Sequence, residues 1–209
     1  MRTWVIVYAI VFFMLGITDE LFSQVKDSSS QESSPDTPTR VLNEMKGPPG
    51  LMQQELLRLL QPEVNRGDIT IRSTKDKVFI NLADRALFDS GSDQVHPAGA
   101  DILNRIGSAM KGVPNWKVQL IGHADNQPIK PAAQIRFANN TALSQARAEH
   151  GAKILMDSGV DAKLISTAGR GEAQPIASNS TAEGRRKNRR LEIVLETPAS
   201  ADPPVIAAQ

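Results

Sequence analysis

Segments with strand spacing alternate with segments of helical spacing along residues 68–196, and this alternation limits the folds open to the chain. Apolar and polar side chains alternate, or β-branched residues cluster, in segments 68–72, 78–82, 116–121, 165–169 and 191–196. Such spacing is that of strands with one buried face. The turn-prone residues 73–76 join the first two segments into a predicted hairpin. We therefore expect an α+β sandwich with helices packed on one face of a mixed β-sheet.

Two main helices are predicted between these strands. The first begins near Pro97, and Gly112 with Pro114 ends it. The second covers residues 143–157, with Gly159 as its stop. Leucines at helical spacing in 51–60 predict a short leading helix ahead of the hairpin.

Composition sets the size of the core and excludes several kinds of site. At 209 residues with 40% apolar content, the chain can bury one core of ordinary size. The formal net charge of +1 gives no global attraction to nucleic acid or anionic lipid. Cysteine is absent, which excludes disulfides, thiolate metal sites, a cysteine nucleophile and a lipid-modified cysteine.

The first 25 residues predict export. Residues 4–17 form an apolar run behind Arg2, and Asp19 with Glu20 closes it. A helix of about fourteen residues spans roughly 21 Å, against about 30 Å of hydrocarbon core. Residues 1–25 are therefore either a signal peptide cleaved near Ser23 or a retained membrane anchor. Both alternatives place the rest of the chain outside the cytoplasm.

Domain boundaries follow from the composition. Residues 26–48 are predicted to be a flexible linker, because 26–40 read KDSSSQESSPDTPTR and cannot repay the entropy of ordering. Residues 49–76 hold the leading helix and the start of the hairpin, and 77–197 form the main domain. Residues 198–209 are predicted to be a disordered tail.

Three motifs in the last third of the chain carry a family resemblance. Gly122-His123-Ala124-Asp125 is followed by NTALSQARA at 140–148 and by Asn188-Arg189-Arg190. In this order and spacing they resemble the OmpA-like peptidoglycan-binding domain, and within it the branch of the flagellar stator protein MotB. NQPI at 126–129 is typical of that branch. The resemblance covers about residues 78–196 and implies a wall-binding module that is not an enzyme.

Asp125 and Arg147 are the central pair of the predicted site. A carboxylate facing a guanidinium can bracket a zwitterion, because one accepts from an ammonium and the other donates two hydrogen bonds to a carboxylate. Meso-diaminopimelate of Gram-negative walls presents both groups. The resemblance implies that Asp125 and Arg147 bind it, with Asn140 and Leu143 lining the pocket and backbone donors near Leu143 and Ser144 assisting. The alternative for the pair is an ordinary salt bridge between a loop and a helix.

The basic motif and the departures from the family complete the predicted site. The resemblance implies two alternative roles for Arg189 and Arg190, which follow Asn188: they contact the ligand, or they fix the last turn. Ala124 replaces a usual threonine, and Thr141-Ala142 replace the branch's Trp-Glu. Stators conduct protons through a carboxylate in the membrane helix, and residues 4–17 contain none. Because only three residues stand before the run in this sequence, we expect no cytoplasmic segment ahead of it. We therefore expect a stator-like wall binder without the ion-channel half.

Other classes of site are poorly supported. His123 and Asp125 have acceptable spacing for two metal ligands, but no third ligand is specified. No nucleophile-elbow pattern surrounds Ser144. We expect no catalytic residues, metal or cofactor, and export excludes nucleic acid as a partner of the basic run. The expected partners are peptidoglycan, the membrane if residues 1–25 are retained, and either a second copy or an envelope assembly. The expected location is the periplasmic cell envelope.

Overall fold

The computed structural model describes residues 48–111, 113, 115–129 and 134–198. The described residues all belong to one compact unit. The predicted signal peptide or anchor, all of the linker except its last residue and nearly all of the tail lie outside the described residues. In the described part of the chain, no helix has both the length and the apolar character needed to cross a membrane.

Helices and strands alternate as the spacing of apolar residues predicts. The helices are α1 (Pro48–Leu59), α2 (Gln61–Asn65), α3 (Pro97–Met110), α4 (Asn140–Asp157) and α5 (Ala182–Asn188). The strands are β1 (Ile69–Ser73), β2 (Lys77–Ala83), β3 (Lys117–His123), β4 (Ile165–Gly171) and β5 (Arg190–Glu196). Short 3₁₀ turns occupy Asp84–Ala86 and Ala162–Leu164. The predicted hairpin, leading helix and two main helices are all present.

The strands form one mixed sheet in the order β1-β2-β5-β3-β4. Strands β3 and β4 are parallel, and the other neighbours are antiparallel. Strand β5 is central although it comes last in the chain. Its residue Ile193 pairs with Ile80 of β2 on one side and with Leu120 of β3 on the other. All three side chains are fully buried, so they form one apolar row across the sheet.

The core lies between this sheet and helices α1, α3 and α4 on one face. Strand residues at every second position are buried, as the alternation requires. Helix α4 contributes Ala148, Gly151, Ala152 and Leu155 to the interface. These residues are mostly small, so the helix packs close to the sheet. The mixed α+β fold with helices on one face is confirmed.

The leading helices belong to the same core as the main domain. Leu56 and Leu60 are fully buried in it. Arg105 of α3 donates to the Leu59 carbonyl at 2.7 Å and to Glu63 Oε1 at 2.7 Å. Hydrogen bonding from Arg105 lowers the pKa of Glu63 below its ordinary value. A buried apolar contact and a charged clamp together fix α1 and α2 on the domain.

Helix α5 was not predicted from the sequence. Its residues AEGRRKN carry no apolar stripe, so hydrophobic periodicity gives no signal. Its capping signals are nevertheless readable: Thr181 Oγ1 accepts from the Gly184 amide at 3.0 Å, Glu183 lies in the first turn, and basic residues occupy the last turn. The helix matters for function because it delivers Arg186 and Arg189 to the site described next.

Candidate functional site

Sheet topology gathers the charged residues at one end of the sheet. The last residue of β2, Ala83, and the last residue of β3, His123, both pair with Arg190, the first residue of β5. The residues just beyond these strand ends must therefore be neighbours. They are Asp84 after β2, Asp125 after β3 and Arg189 before β5, and the Asp84 amide donates to the Arg189 carbonyl at 3.0 Å.

A cleft of about 590 Å³ opens at this end of the sheet. Its lining includes Asp125, Asn140, Leu143 and Arg147 among the predicted residues, together with Asp84 and Arg189. Ala124, Gln127, Pro128 and Ile129 contribute from the loop after β3. Four of the five predicted ligand-binding residues therefore meet in one cavity.

Arg147 is held at the cleft wall by three contacts. It is 6% exposed. Its Nε donates to the Ser92 carbonyl at 2.8 Å, and its Nη1 lies 2.7 Å from Asp84 Oδ1. Its guanidinium carbon stands 4.9 Å from the centre of the Phe88 ring, a cation–π contact. The side chain is thus pre-organised by groups on the segment between β2 and α3.

Asp125 is fixed by a different set of partners. It is also 6% exposed. Its Oδ1 accepts from the Gln127 amide at 3.0 Å, and its Oδ2 accepts from Arg189 Nη1. The predicted alternative, a direct salt bridge between Asp125 and Arg147, does not form. Each has its own counterion, so the cleft contains two ion pairs, Asp84–Arg147 and Asp125–Arg189.

Burial shifts the pKa values of the Asp84–Arg147 pair in opposite directions. Desolvation raises the pKa of Asp84, against the opposing effects of Arg147 and Arg189, and the nearby Asp125 raises it further. Desolvation also lowers the pKa of Arg147, although Asp84 opposes this shift. An arginine remains protonated at neutral pH. The cleft therefore presents partly desolvated charges of both signs. A ligand that carries both a positive and a negative group would stabilise them most.

The start of α4 differs from the predicted one. The helix begins at Asn140, three residues before Leu143, because Asn139 caps it by accepting from the Ala142 amide at 2.9 Å. The Leu143 amide already donates to the Asn139 carbonyl at 3.1 Å. The expected backbone donor at Leu143 is therefore wrong, because that amide is used within the helix.

Asn140 has a positioning contact instead. Its side-chain amide donates to the carbonyls of Asp125 at 3.2 Å and of Gln127 at 2.8 Å. It thereby ties the loop that carries Asp125 to the helix that carries Arg147. Ala124, which replaces the family's threonine, lies in the lining, so the departure from the family pattern falls inside the cleft.

Arg190 lies outside this cleft. Its side chain points to the Gln174 and Asn188 carbonyls, at 3.3 to 3.4 Å, and its Nη2 is 3.8 Å from Glu192. The neighbouring Arg189 contacts Asp125, because consecutive residues at a strand start point to opposite sides of the chain. Fully buried Asn188 fixes the last turn through the Ile176 and Ala177 amides.

The three histidines are placed away from the cleft. His96 Nδ1 caps α3 by accepting from the Gly99 amide at 3.0 Å. His123 is a buried strand-end residue, with Nε2 at 3.4 Å from Glu192 Oε2. His150 Nδ1 is 2.8 Å from the Asp93 carbonyl. Within the described ranges, no group of three or more histidine, aspartate or glutamate side chains could hold a metal ion.

Sequence reasoning missed Asp84 as a residue of the site, and it left open whether Arg189 or Arg190 contacts the ligand. The motifs do not state which of these side chains turns toward the cleft. The strand register supplies that information, since it places Ala83, His123 and Arg190 side by side. The predicted hairpin was the available signal, because it fixes where β2 ends.

Comparison with known proteins gives one family match. Residues 87–189 match the family described as the OmpA family. The chain is similar to the probable lipoprotein YiaD of Escherichia coli, with 38% identity over 65% of this chain and 59% of that protein. It is also similar to motility protein B of Bacillus subtilis, with 35% identity over 59% of this chain and 47% of that protein.

Two further similarities extend this picture. The peptidoglycan-binding protein ArfA of Mycobacterium tuberculosis is 39% identical over 52% of this chain and 31% of ArfA. The solved structure of the cell wall anchor of the T6SS from Pseudomonas aeruginosa is 32% identical, with a TM-score of 0.63, covering 70% of this chain and 99% of that one. The chain thus spans 59% or less of these three curated relatives, but nearly all of the solved anchor domain.

Proposed function

This chain belongs to the OmpA family, and from that premise we propose that it binds peptidoglycan without catalysis and anchors itself or its assembly to the cell wall. The observation that carries the proposal is the cleft in which Asp125 and Arg147, each 6% exposed, present opposite charges from neighbouring walls. The similarity to the peptidoglycan-binding protein ArfA and to the cell wall anchor of the T6SS supports this proposal.

The proposed ligand is the diaminopimelate of the stem peptide. Its free end carries an ammonium and a carboxylate on one carbon. The ammonium donates to Asp125, and the carboxylate accepts from Arg147. Each charge of the ligand binds beside an ion pair that is already formed, Asp125–Arg189 for the ammonium and Asp84–Arg147 for the carboxylate. The two ion pairs therefore offset the cost of burying the ligand charges. No buried charge is left alone in either the free or the bound state.

Other cleft residues take supporting roles in this proposal. Asn140 holds the Asp125 loop against α4, and Leu143 gives an apolar wall for the methylene chain of the ligand. Arg189 sets the orientation of the Asp125 carboxylate. Arg190, which the resemblance placed at the ligand, is not part of this cleft.

A binding role agrees with the placement of the acid–base groups. None of the three histidines lines the cleft. Ser144 is 1% exposed, donates to the Thr141 carbonyl at 2.9 Å and accepts from the Gly171 amide at 3.0 Å. Its hydroxyl is a structural link between α4 and β4, with no base beside it. The described lining of the cleft offers charges of both signs for recognition.

The alternative within the family is an assembly role in which wall contact is secondary. Two of the similar proteins, motility protein B and the cell wall anchor of the T6SS, are named for motility and for the T6SS, which favours this alternative. Both uses place the domain in the periplasmic envelope. It reaches this compartment either through export by a cleaved signal peptide or attached to a retained N-terminal membrane anchor.

Cosedimentation with isolated sacculi tests the wall-binding proposal. The purified chain is expected to pellet with sacculi that contain diaminopimelate and to stay in solution with sacculi that contain lysine at the same position, because lysine lacks the second carboxylate. Asp125→Asn should lose pelleting. Asp157→Asn, at an exposed aspartate at the far end of α4, is the matched control and should retain it. Equal pelleting with both wall types would contradict the diaminopimelate assignment.

A further inference from the structure

A second cleft of about 470 Å³ adjoins the first. The two share Ala83, Arg85 and Arg186 in their linings, so they are continuous along the surface. The second cleft is built by β1, β2 and α5, and none of the family motifs described above accounts for it except Arg190. A ligand bound in the first cleft can therefore extend into the second.

Positive charge dominates the second cleft. Its lining holds the four cationic side chains of Arg85, Arg186, Lys187 and Arg190 and the two acidic ones of Asp68 and Glu183. Both acids are already neutralised: Asp68 lies 2.8 Å from Arg85 and 3.1 Å from Arg66, and Glu183 lies 2.8 Å from Lys187.

Two of the cations have few short contacts. The Arg186 side chain makes no hydrogen bond or ion pair at contact distance with another described residue, and its interaction with Glu183 is a longer-range electrostatic one. Arg190 is 7% exposed, and its Nε has no hydrogen-bond partner in this part of the chain. Its Nη groups make long contacts, 3.3 Å or more, with carbonyl oxygens, and Nη2 is 3.8 Å from Glu192. Burying a guanidinium with so few good partners is costly unless an anion completes it.

An apolar side chain stands at the edge of the same cleft. Ile176 is 60% exposed, although large aliphatic side chains are usually buried. The lining of the second cleft therefore combines more cationic than acidic side chains with one exposed aliphatic side chain. A group that carries a carboxylate on a short aliphatic chain matches both.

Resting on the function proposed above, we propose that the second cleft is a subsite for a carboxylate of the stem peptide next to diaminopimelate. The residue that precedes diaminopimelate is a glutamate linked through its side chain, so its α-carboxylate is free. A peptide with its diaminopimelate in the first cleft extends from there into the second. The subsite then distinguishes walls in which this carboxylate is free from walls in which it is amidated.

Calorimetric titration with two dipeptides tests the subsite. The probes are γ-D-glutamyl-meso-diaminopimelate and the same dipeptide with the glutamate α-carboxylate amidated. The full chain should bind the free acid roughly tenfold more tightly, the value of one charge-assisted hydrogen bond at the low end of its range. Lys187→Glu places an anion in the subsite and should reduce this ratio to about one.

The matched control is Lys153→Glu. Lys153 pairs with Asp157 one turn along α4, as Lys187 pairs with Glu183 on α5, and both lysines are similarly exposed. Lys153 lines neither cleft. The control should keep the wild-type ratio of affinities, which removes surface charge and helix pairing as explanations.

The outcomes separate this inference from the function on which it rests. If both dipeptides and free meso-diaminopimelate fail to bind, the proposed function falls and the subsite with it. If they bind with equal affinity, the subsite alone is overturned. Binding of inorganic phosphate that Lys187→Glu abolishes, without any preference between the dipeptides, would assign the cleft to a phosphate-bearing polymer and also overturn the proposal.

Discussion

At the residue scale, the site is two ion pairs that share a cleft. The motifs contain Asp125, Arg147 and Arg189, which line one cleft. They gave no information on Asp84, or on which residue is the counterion of which. The choice of counterion depends on which side chains point into the cleft at the strand ends, and therefore on the pairing of β2, β3 and β5. This pairing is determined by residues distant in sequence, so no local sequence pattern predicts it.

Arg147→Ala should destabilise the domain as well as abolish binding. It leaves Asp84 without its partner in a site where burial already raises the pKa of that carboxyl. Removing one member of a buried ion pair costs about 3–5 kcal/mol, so we expect a loss of this order in the free energy of unfolding, measured in urea.

A double variant separates the two effects of this substitution. Asp84→Asn together with Arg147→Ala removes the unpaired charge and should recover part of the lost stability, with binding still absent. If Arg147→Ala alone unfolds at the same urea concentration as the wild type, the Asp84–Arg147 pair contributes nothing to stability and this description of the site is wrong.

At the scale of elements, helix α4 is placed by glycines on the strands beneath it. A Cβ atom at Gly122 of β3 would lie 2.0 Å from the Ser144 carbonyl oxygen, and one at Gly169 of β4 would lie 2.5 Å from the Thr141 carbonyl oxygen. The sequence predicted both strands and the helix from their spacing. It did not predict this close approach, which sets the height of Arg147 and Leu143 above the cleft.

Gly122→Ala is therefore expected to destabilise the domain and weaken wall binding together. The new methyl group meets backbone, so α4 must move, and overpacking of this kind costs about 1–3 kcal/mol or more. Gly151→Ala is the matched control, because its methyl group would meet only the side-chain ends of Leu191 and Leu120, at 3.1 and 3.2 Å.

Chemical denaturation and sacculus cosedimentation of both glycine variants check this expectation. The free energy of unfolding of Gly151→Ala should lie within about 1 kcal/mol of the wild type, because alanine is a better helix former than glycine by about that amount. This variant should still pellet with sacculi. Equal stability and equal pelleting of the two variants would show that the spacing of α4 above the sheet does not set the cleft.

At the scale of the whole molecule, the spacing of apolar residues predicted the mixed sheet and its helical face, and the motifs predicted four residues that line one cleft. Two features were not predicted. Helix α5 has no apolar stripe, because it packs through Gly184 and Asn188 and not through a hydrophobic face. The second cleft was not predicted because its cations come from the turn after β2, from α5 and from β5, which only the folded sheet brings together.

The most direct test of the account is calorimetric titration of the full chain with the stem tripeptide L-alanyl-γ-D-glutamyl-meso-diaminopimelate and with the same tripeptide ending in L-lysine. In both peptides the α-amine of the third residue is acylated, so only the diaminopimelate side chain still carries an ammonium and a carboxylate on one carbon. We predict that the diaminopimelate peptide binds at least about tenfold more tightly than the lysine peptide, and that Asp125→Asn removes the binding. Equal affinities for the two ligands, or diaminopimelate binding that survives Asp125→Asn, would contradict the proposed recognition of a zwitterion in this cleft.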